Sequence, residues 1–266
     1  MADNKLYNEK SIESLSPLEF TRLRPGVYAG DCTYSTQLLV EIISNAVDEF
    51  RLGHGNVIKV TVNGDVVIVE DNGQGFIPNS FRDDGKTILE AAFSVLNTSG
   101  KYREDGTYEG TSLGSFGIGS KITTYLSHWL EVITYRDNKY EHIWFKEGEF
   151  EKRESGAWQN GTTGTLVQWQ PSEEFFTHPE VEMPKIKSLF KTITCLCPGL
   201  TIELDDNGNK IGEVNASYHD LDTEWHQYLI DLSNVEGNIT VYFNGGYVDS
   251  TGSQESEFIF SNIVLY

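Results

Sequence analysis

The apolar residues of the N-terminal third change from an irregular to a helical pattern. Residues 1–20 are polar with isolated apolar anchors, which is typical of an extended arm. From Ser35 to Gly53 apolar residues recur at three- and four-residue spacing, with hydroxyl residues to cap the start and a glycine to end the helix. The recurring residues are Leu38, Leu39, Ile42, Ile43, Ala46, Val47 and Phe50. This pattern predicts one amphipathic helix.

β-branched residues then indicate a hairpin. The runs 57–62 and 66–70 are joined through residues 63–65 (Asn-Gly-Asp), and Asn-Gly between two such runs is a strong hairpin signal. The second run continues directly into residues 71–75 (Asp-Asn-Gly-Gln-Gly). We therefore expect two antiparallel strands, with the Asp71 carboxylate at the end of the second.

The middle of the chain mixes helical and strand patterns. A helical stretch at 88–96 is followed by a glycine-rich loop at 100–119 and a helix that starts near Ser120. Further segments read as the strands 130–135, 142–146 and 164–169 and the amphipathic helix 183–196. Helices separated from antiparallel strands predict an α+β sandwich.

The pattern changes again near residues 205–208 (Asp-Asp-Asn-Gly). Residues 223–266 contain no lysine or arginine and are rich in Gly, Ser and Asn, with short alternating strands at 238–243 and 257–266. We therefore predict an arm over 1–20, a main domain over 21–206 and a β-rich appendage over 207–266.

Composition limits the partners and the compartment. With 38% hydrophobic residues in 266, the chain is able to bury a core, and no window approaches the roughly 18 apolar residues of a membrane helix. The net charge of -20 opposes binding to a phosphate backbone. Cys32, Cys195 and Cys197 form an odd set, which we expect to be reduced and buried. We expect a cytoplasmic protein.

Polar side chains on the first helix are the first candidate for chemistry. Glu41, Asn45 and either Asp48 or Glu49 follow at four-residue steps and so share one edge of the helix. A carboxylate and an amide one turn apart suit a base that activates water and a metal ligand. An ordinary solvated helix face would have the same composition.

A second candidate is the carboxylate of Asp71 at a strand end. The glycines that follow it allow backbone to approach a flat ligand closely. A carboxylate accepts a hydrogen bond from the exocyclic amino group of adenine, whereas guanine offers an acceptor there. A plain turn or part of a calcium loop is the alternative interpretation of this motif.

Two further motifs are rich in glycine. Residues 110–119 lead into a helix, and backbone N–H groups in such a place form an anion site. The order Gly119-Ser120-Lys121, without a preceding strand, excludes a P-loop. Residues 161–165 (Gly-Thr-Thr-Gly-Thr) begin a strand, either as a simple hairpin entry or with a hydroxyl that helps to hold a base through water.

In this order the four motifs resemble the GHKL ATPase superfamily. Within it, residues 23–30 (Leu-Arg-Pro-Gly-Val-Tyr-Ala-Gly) are similar to a segment of type IIA DNA topoisomerase B subunits, as are 45–49, 95–101 and 171–176. The resemblance covers about residues 12–204. It implies a GHKL (Bergerat) two-layer sandwich of helices on a mixed, mostly antiparallel sheet.

The resemblance also implies roles for individual residues. Glu41 would be the general base, Asn45 a ligand of Mg²⁺, and Asp71 the acceptor for adenine, supported by Thr165. The residues implied to bind ATP are Asn45, Glu49, Asp71, Gly75, Ile77, Lys101, Gly114, Gly117, Gly119 and Thr165. The implied function is that of the ATP-binding and ATP-hydrolysing domain of a type IIA topoisomerase.

Expected partners follow from the same resemblance. ATP binding would close a homodimer through the arm at 1–20, as a gate for DNA strand passage. Other topoisomerase subunits or domains would hold the DNA, since this acidic chain would not pass strands alone, and no membrane is expected.

Two departures from the family pattern stand out. Gln74 replaces an arginine that is usually paired to the acid at Glu49. Residues 207–266 show neither the family's transducer lysine nor its cleavage domain, and they look instead like a β-sandwich of the carbohydrate-binding or phage-tail type. A GHKL protein of another branch, or a vestigial nucleotide fold with a ligand-binding β segment, are the alternatives. A histidine kinase is disfavoured because no His-containing dimerisation helix precedes the Asn45 helix.

Overall fold

The computed structural model describes residues 15–96, 117–206 and 209–215, together with 247–248 and 254–255. The chain divides into two compact units, Met1–Asn234 and Val235–Tyr266. The helices described in the first unit are α1 (Pro17–Leu23), α2 (Pro25–Ala29), α3 (Thr36–Arg51), α4 (Ile88–Ser94), α5 (Gly119–Tyr125) and α6 (Met183–Leu196).

One mixed sheet forms the other layer of this unit. Its strands are β1 (Val57–Asn63), β2 (Val66–Asp71), β3 (Ser127–Arg136), β4 (Lys139–Lys146), β5 (Glu149–Ala157), β6 (Gly164–Pro171), β7 (Thr201–Asp206) and β8 (Asn209–Asn215). Their order is β5-β4-β3-β6-β2-β1-β7-β8. β1 and β7 are parallel, and the other neighbouring pairs are antiparallel. The predicted α+β fold with a mostly antiparallel sheet is confirmed.

The core lies between the helices and one face of the sheet. Alternate residues of β3 and β4 are buried, as the period of two in a strand requires, and the apolar ones among them belong to one cluster with the inner face of α3. The fully buried members include Leu38, Leu39, Ile43, Val47, Leu130, Val132, Ile143, Phe145 and Trp169. Each such side chain contributes about 1.5–3 kcal/mol to folding.

Several predicted elements are confirmed. The helical pattern from Ser35 to Gly53 is α3, the β-branched hairpin is β1 and β2, and the three later helical stretches are α4, α5 and α6. Each of these elements has a local signal, either the spacing of its apolar residues or a turn motif. It can therefore be predicted without knowing which other elements it packs against.

Strand pairings at both ends of the sheet were not predicted. β5 is an edge strand with every residue exposed or half-buried, so it lacks the alternation that marks a strand in sequence. β7 pairs with β8, so the sheet continues to Asn215, beyond the predicted boundary near residue 207. Residues 207 and 208 lie outside the described part of the chain, and the division into domains stays a prediction.

The end of the predicted arm is helical and attached to the main sheet. α1 begins at Pro17 with a capping box, in which Ser16 and Glu19 exchange side-chain and backbone hydrogen bonds. Arg22 of this helix donates to Glu147 at 2.8 Å and to Glu174 at 3.1 Å. Residues 1–14 of the predicted arm lie outside the described residues.

The remaining expectations concern the second unit and the cysteines. In that unit the described residues form two short antiparallel strands, β9 (Tyr247–Val248) and β10 (Gln254–Glu255), while the predicted strands 238–243 and 257–266 lie outside them. Cys197 is buried as expected, but Cys32 is half-buried and Cys195 is exposed, so the prediction of three buried thiols was wrong. In the described part of the chain no helix has the length and apolar character to cross a membrane.

Candidate functional site

One edge of α3 carries the polar side chains that the sequence predicted. Glu41 is half-buried, and its Oε1 accepts a hydrogen bond from Gln37 Nε2 at 2.7 Å, one turn earlier. Asn45 lies one turn later and is exposed, so its amide is accessible. Sequence reasoning missed Gln37, although its four-residue spacing from Glu41 was visible. An amide donor on Oε1 fixes the orientation of the carboxylate.

The glycine at the start of α5 lies directly against the Glu41 carboxylate. A methyl group added at Gly119 would overlap Glu41 Oε2, so a side chain does not fit between the two helices. Gly117 just before it has a φ of +62°, in the left-handed region that favours glycine. The structure therefore brings Gly119 to Glu41, with Gly117 two residues before it in the chain. Lys101 and Gly114, also predicted for the site, lie outside the described residues.

The Asp71 carboxylate ends β2, as predicted. Its Oδ1 accepts from the backbone N–H of Gly73 at 2.8 Å, and the side chain is half-buried. Burial raises the pKa of Asp71 to about 6, against the lowering effect of the Gly73 hydrogen bond, and the nearby carboxylates of Glu49 and Glu70 add to the rise. This acid therefore changes its charge near pH 6, well above the range of an ordinary aspartic acid.

Two glycines pack closely against the atoms around Asp71. A Cβ at Gly73 would lie 2.8 Å from Asp71 Oδ1, and a Cβ at Gly75 would lie 2.7 Å from the Tyr135 carbonyl oxygen. Gly75 also has a φ of +68°. Thr165 is the register partner of Asp71 on β6. The close approaches explain why glycine is needed at these two positions, and the strand register places Thr165 across the ladder from the acid.

The guanidinium of Arg136 contacts the turn that follows Asp71, a contact that the sequence analysis did not predict. The N–H of Gln74 donates to Glu49 Oε2 at 3.3 Å, while the Gln74 side-chain oxygen accepts from Arg136 Nη1 at 3.2 Å. Arg136 Nη1 also donates to the carbonyl oxygen of Gly75 at 3.2 Å. Arg136 is distant in sequence, so no local pattern indicates this contact. The predicted residue Ile77 lies just beyond Gln74, 49% exposed.

A buried lysine follows the glycine loop. Lys121 of α5 is 3% exposed, and burial lowers its pKa to about 8. The sequence excluded a P-loop at this position, and the lysine was not among the predicted site residues. It follows Gly119 by two residues in the same helix, so it adds a positive charge to the element that lies against Glu41.

α3 joins the two parts of the site. Glu41 lies against Gly119, and Glu49 lies against Gly73 and the N–H of Gln74. These two acids are two helical turns apart, about 12 Å along the axis. The arrangement suits an elongated ligand with a flat polar group at Asp71 and an anionic group at the start of α5.

A helix-borne acid and amide, an Asp-x-Gly-x-Gly turn and a glycine-framed helix start, laid against a mostly antiparallel sheet, define a GHKL-type nucleotide-binding domain. The crystal structure of the 43K ATPase domain of Thermus thermophilus gyrase B in complex with an aminocoumarin matches this fold with a TM-score of 0.62 and 30% identity. The match covers 74% of this chain and 50% of that one.

Sequence comparison narrows the class. The chain is 37% identical over 210 residues to the B subunit of DNA topoisomerase 4 from Mycoplasma capricolum, covering 77% of this chain and 32% of the relative. It is 34% identical over 209 residues to the B subunit of DNA gyrase from Thermotoga maritima, again covering 77% and 32%. A 176-residue match to the topoisomerase 4 B subunit of Staphylococcus aureus has 40% identity and covers 64% of this chain and 26% of the relative.

The chain belongs to the family of type IIA DNA topoisomerase B subunits, in the region that corresponds to their ATP-binding domain. It spans about a third of the length of the curated relatives it matches. No protein-family model matches the chain.

Proposed function

We propose that this domain binds ATP with Mg²⁺ and hydrolyses the γ-phosphate, as the nucleotide-operated part of a type IIA topoisomerase. One observation carries the proposal. The single helix α3 presents Glu41 beside the glycine start of α5 and, two turns away, Glu49 beside the Asp71 pocket. A rigid element thus relates a place for phosphates to a place for a base.

Asp71 recognises the base in this proposal. Its ionised carboxylate accepts from the exocyclic amino group of adenine, and Thr165 across the ladder supports the same edge of the base. The glycines at 73 and 75 let the loop pack closely against Asp71 Oδ1 and the Tyr135 carbonyl oxygen, where a side chain does not fit. A guanine in the same position would present an oxygen to the carboxylate and be rejected.

Phosphates and the metal ion are held at the other end. Gly117 and Gly119 offer backbone N–H groups, and Lys101 and Gly114 are proposed to complete the enclosure. Asn45 provides an exposed amide oxygen one turn from Glu41, which is the type of donor that Mg²⁺ accepts beside phosphate oxygens and water. When bound, Mg²⁺ neutralises charge on the phosphates. The residues present therefore fit both ATP and Mg²⁺.

Glu41 is proposed to be the general base. With one oxygen held by Gln37, its other oxygen is directed toward the start of α5, where it accepts a proton from an attacking water. Phosphoryl transfer needs mostly positioning and charge neutralisation, so no covalent intermediate with the protein is required.

The proposal extends to assembly. ATP binding closes two copies through the arm at residues 1–20, and hydrolysis reopens them. DNA is held by other subunits or domains of the assembled enzyme, because a net charge of -20 opposes a phosphate backbone. The vestigial-fold alternative receives less support, because the acid, amide and glycine positions of the nucleotide site are all retained.

Calorimetric titration with a non-hydrolysable ATP analogue and Mg²⁺ tests the assignment of roles. We expect saturable binding that GTP does not reproduce and that Asp71→Asn weakens, because the amide offers a donor in addition to its acceptor. The Glu41→Ala variant should bind the ATP analogue with wild-type affinity, while its rate of ATP hydrolysis falls roughly 10²- to 10⁴-fold. Equal loss of binding in both variants would contradict these roles. A folded wild type that binds no analogue would favour the vestigial-fold alternative.

A further inference from the structure

The loop that follows Asp71 is held by two side chains from the sheet. We call residues 74–79 the adenine loop, since it contains Gly75 and Ile77, two of the residues that the family resemblance implies for ATP binding. The N–H of Phe76 donates to Thr134 Oγ1 at 2.7 Å, and the N–H of Asn79 donates to Glu141 Oε2 at 2.8 Å. Both acceptors are distant in sequence, so the loop depends on tertiary contacts for its shape.

The two acceptors are neighbours in the sheet. Thr134 of β3 and Glu141 of β4 are register partners, and both point to the inner, helix-facing side. The two preceding inner pairs on these strands are apolar, namely Leu130 with Phe145 and Val132 with Ile143. The apolar ladder therefore becomes polar at the one pair that reaches the adenine loop.

Burial makes Glu141 an unusual choice for this position. Glu141 is 0% exposed. Among the described contacts, its second carboxylate oxygen, Oε1, has no hydrogen-bond partner. A buried polar atom without a partner destabilises a fold, and an apolar residue would continue the ladder without that cost. The contact of Oε2 with Asn79 is the feature that an apolar residue would not reproduce.

Asn79 itself needs support. Its φ of +58° lies in the left-handed region, which is uncommon for a residue other than glycine. A hydrogen bond to its N–H stabilises that conformation. Together with Arg136, which donates to the Gly75 carbonyl oxygen, the sheet thus holds the loop at its start, middle and end.

We propose that Glu141, together with Thr134, is a positioning residue that sets the affinity for the adenine base by fixing the adenine loop before the nucleotide binds. This inference rests on the proposed function, because it assumes that the ligand is an adenine nucleotide. Glu141 acts through the Asn79 backbone and does not contact the reacting phosphate. Glu41 and Gly119 lie at the other end of the site, so the chemical step does not depend on Glu141.

The prediction is a separation of KM from kcat. Glu141→Leu removes the acceptor at similar size, and the loop must then be ordered when ATP binds. We expect the Kd for the ATP analogue and the KM for ATP to rise roughly tenfold, with kcat within twofold of wild type. Glu141→Gln retains an acceptor oxygen and should restore most of the affinity.

A matched control comes from the same strand pair. Glu131 of β3 points to the opposite face of the sheet, where its carboxylate contacts His142 and Gln168. Glu131→Leu removes a carboxylate from the same sheet without touching the adenine loop, so it should bind nucleotide as wild type does. Thr134→Val is the second test variant if Glu141→Leu does not fold, and it should weaken binding in the same direction.

Amide hydrogen exchange in the absence of nucleotide gives an independent measurement. Exchange at Phe76 and Asn79 should accelerate in Glu141→Leu. Faster exchange with unchanged Kd and KM would overturn the proposal, because the contact would then be structural only. A lower kcat at constant KM would overturn it as well. If the wild type binds no ATP analogue, the proposed function fails first, and that outcome is seen without any variant.

Discussion

The carboxyl group of Asp71 lies close to Glu49 and Glu70 at the end of β2, and burial has raised its pKa to about 6. The folded protein therefore holds this proton more tightly than the unfolded chain, whose acid titrates near 3.8. Between these two values the folded state loses stability as pH rises, since the ionised group is the less favourable one. Neutral pH thus favours the ionised carboxylate that the proposed adenine contact uses, at a cost in stability.

This residue gives a pH prediction. Affinity for the ATP analogue should fall as pH is lowered through about 6, because the protonated acid is a weaker acceptor for the adenine amino group. Calorimetric titration across this range measures it.

The phosphates of the ATP analogue titrate in a similar range. The informative quantity is therefore the difference in the pH dependence of Kd between the wild type and Asp71→Asn. The variant should show the smaller pH dependence and, at neutral pH without ligand, a higher Tm. Parallel pH profiles in the two proteins would contradict the assignment of the pH dependence to Asp71.

At the scale of elements, the contact between α3 and α5 leaves no room for a side chain at position 119. Gly119→Ala adds a methyl group that would overlap the Glu41 carboxylate, so the acid or the helix must move. A displacement of about 1 Å at a reacting group is able to lower the rate roughly 100-fold. We expect a loss of kcat of that order in a steady-state ATPase assay, with binding of the base little changed.

Gly26 in α2 is the matched control for this substitution. A Cβ there meets no atom within 4 Å, and its backbone is not in the left-handed region. Gly26→Ala should therefore leave kcat unchanged. A Gly119→Ala protein with normal turnover would show that Glu41 is not the base or that α5 is free to shift.

Elements also show what the sequence was able to predict. α3 and the β1–β2 hairpin have strong local signals, and the residues they position, Glu41 and Asp71, were predicted with them. Gln37 and Arg136 were missed for different reasons. Gln37 looked like any polar helix residue, and Arg136 reaches Gln74 only through the pairing of β3 with β6 and β6 with β2. Tertiary contacts of this kind leave no local pattern.

At the scale of the whole molecule, the strand β8 bears on where the domain ends. The sequence placed a boundary near residue 207 because the composition changes there, yet β8 pairs with β7 along the edge of the sheet. Amino-acid composition reflects which side chains are exposed, whereas an edge strand is defined by backbone hydrogen bonds. The change in composition and the end of the sheet therefore need not fall at the same residue.

Truncation tests the role of this edge. A chain that ends after Asn215 should have a higher Tm than one that ends after Asp206, because the shorter chain exposes the unpaired backbone groups of β7. Thermal unfolding followed by circular dichroism measures the difference. Equal Tm values would show that β8 contributes nothing to the stability of the main sheet and would favour the boundary near residue 207.

The glycines packed against the chain around Asp71 also restrict how the protein is able to vary over generations. At Gly73, Gly75 and Gly164 the neighbouring chain is so close that even one methyl group does not fit. A lineage exposed to a toxic small molecule that binds beside Asp71 therefore has to displace the neighbouring chain in order to change these glycines. The side chain of Ile77 is 49% exposed, so a substitution there does not have to displace buried neighbours. Resistance to such a molecule should accordingly evolve at Ile77, while Gly73, Gly75 and Gly164 remain constant.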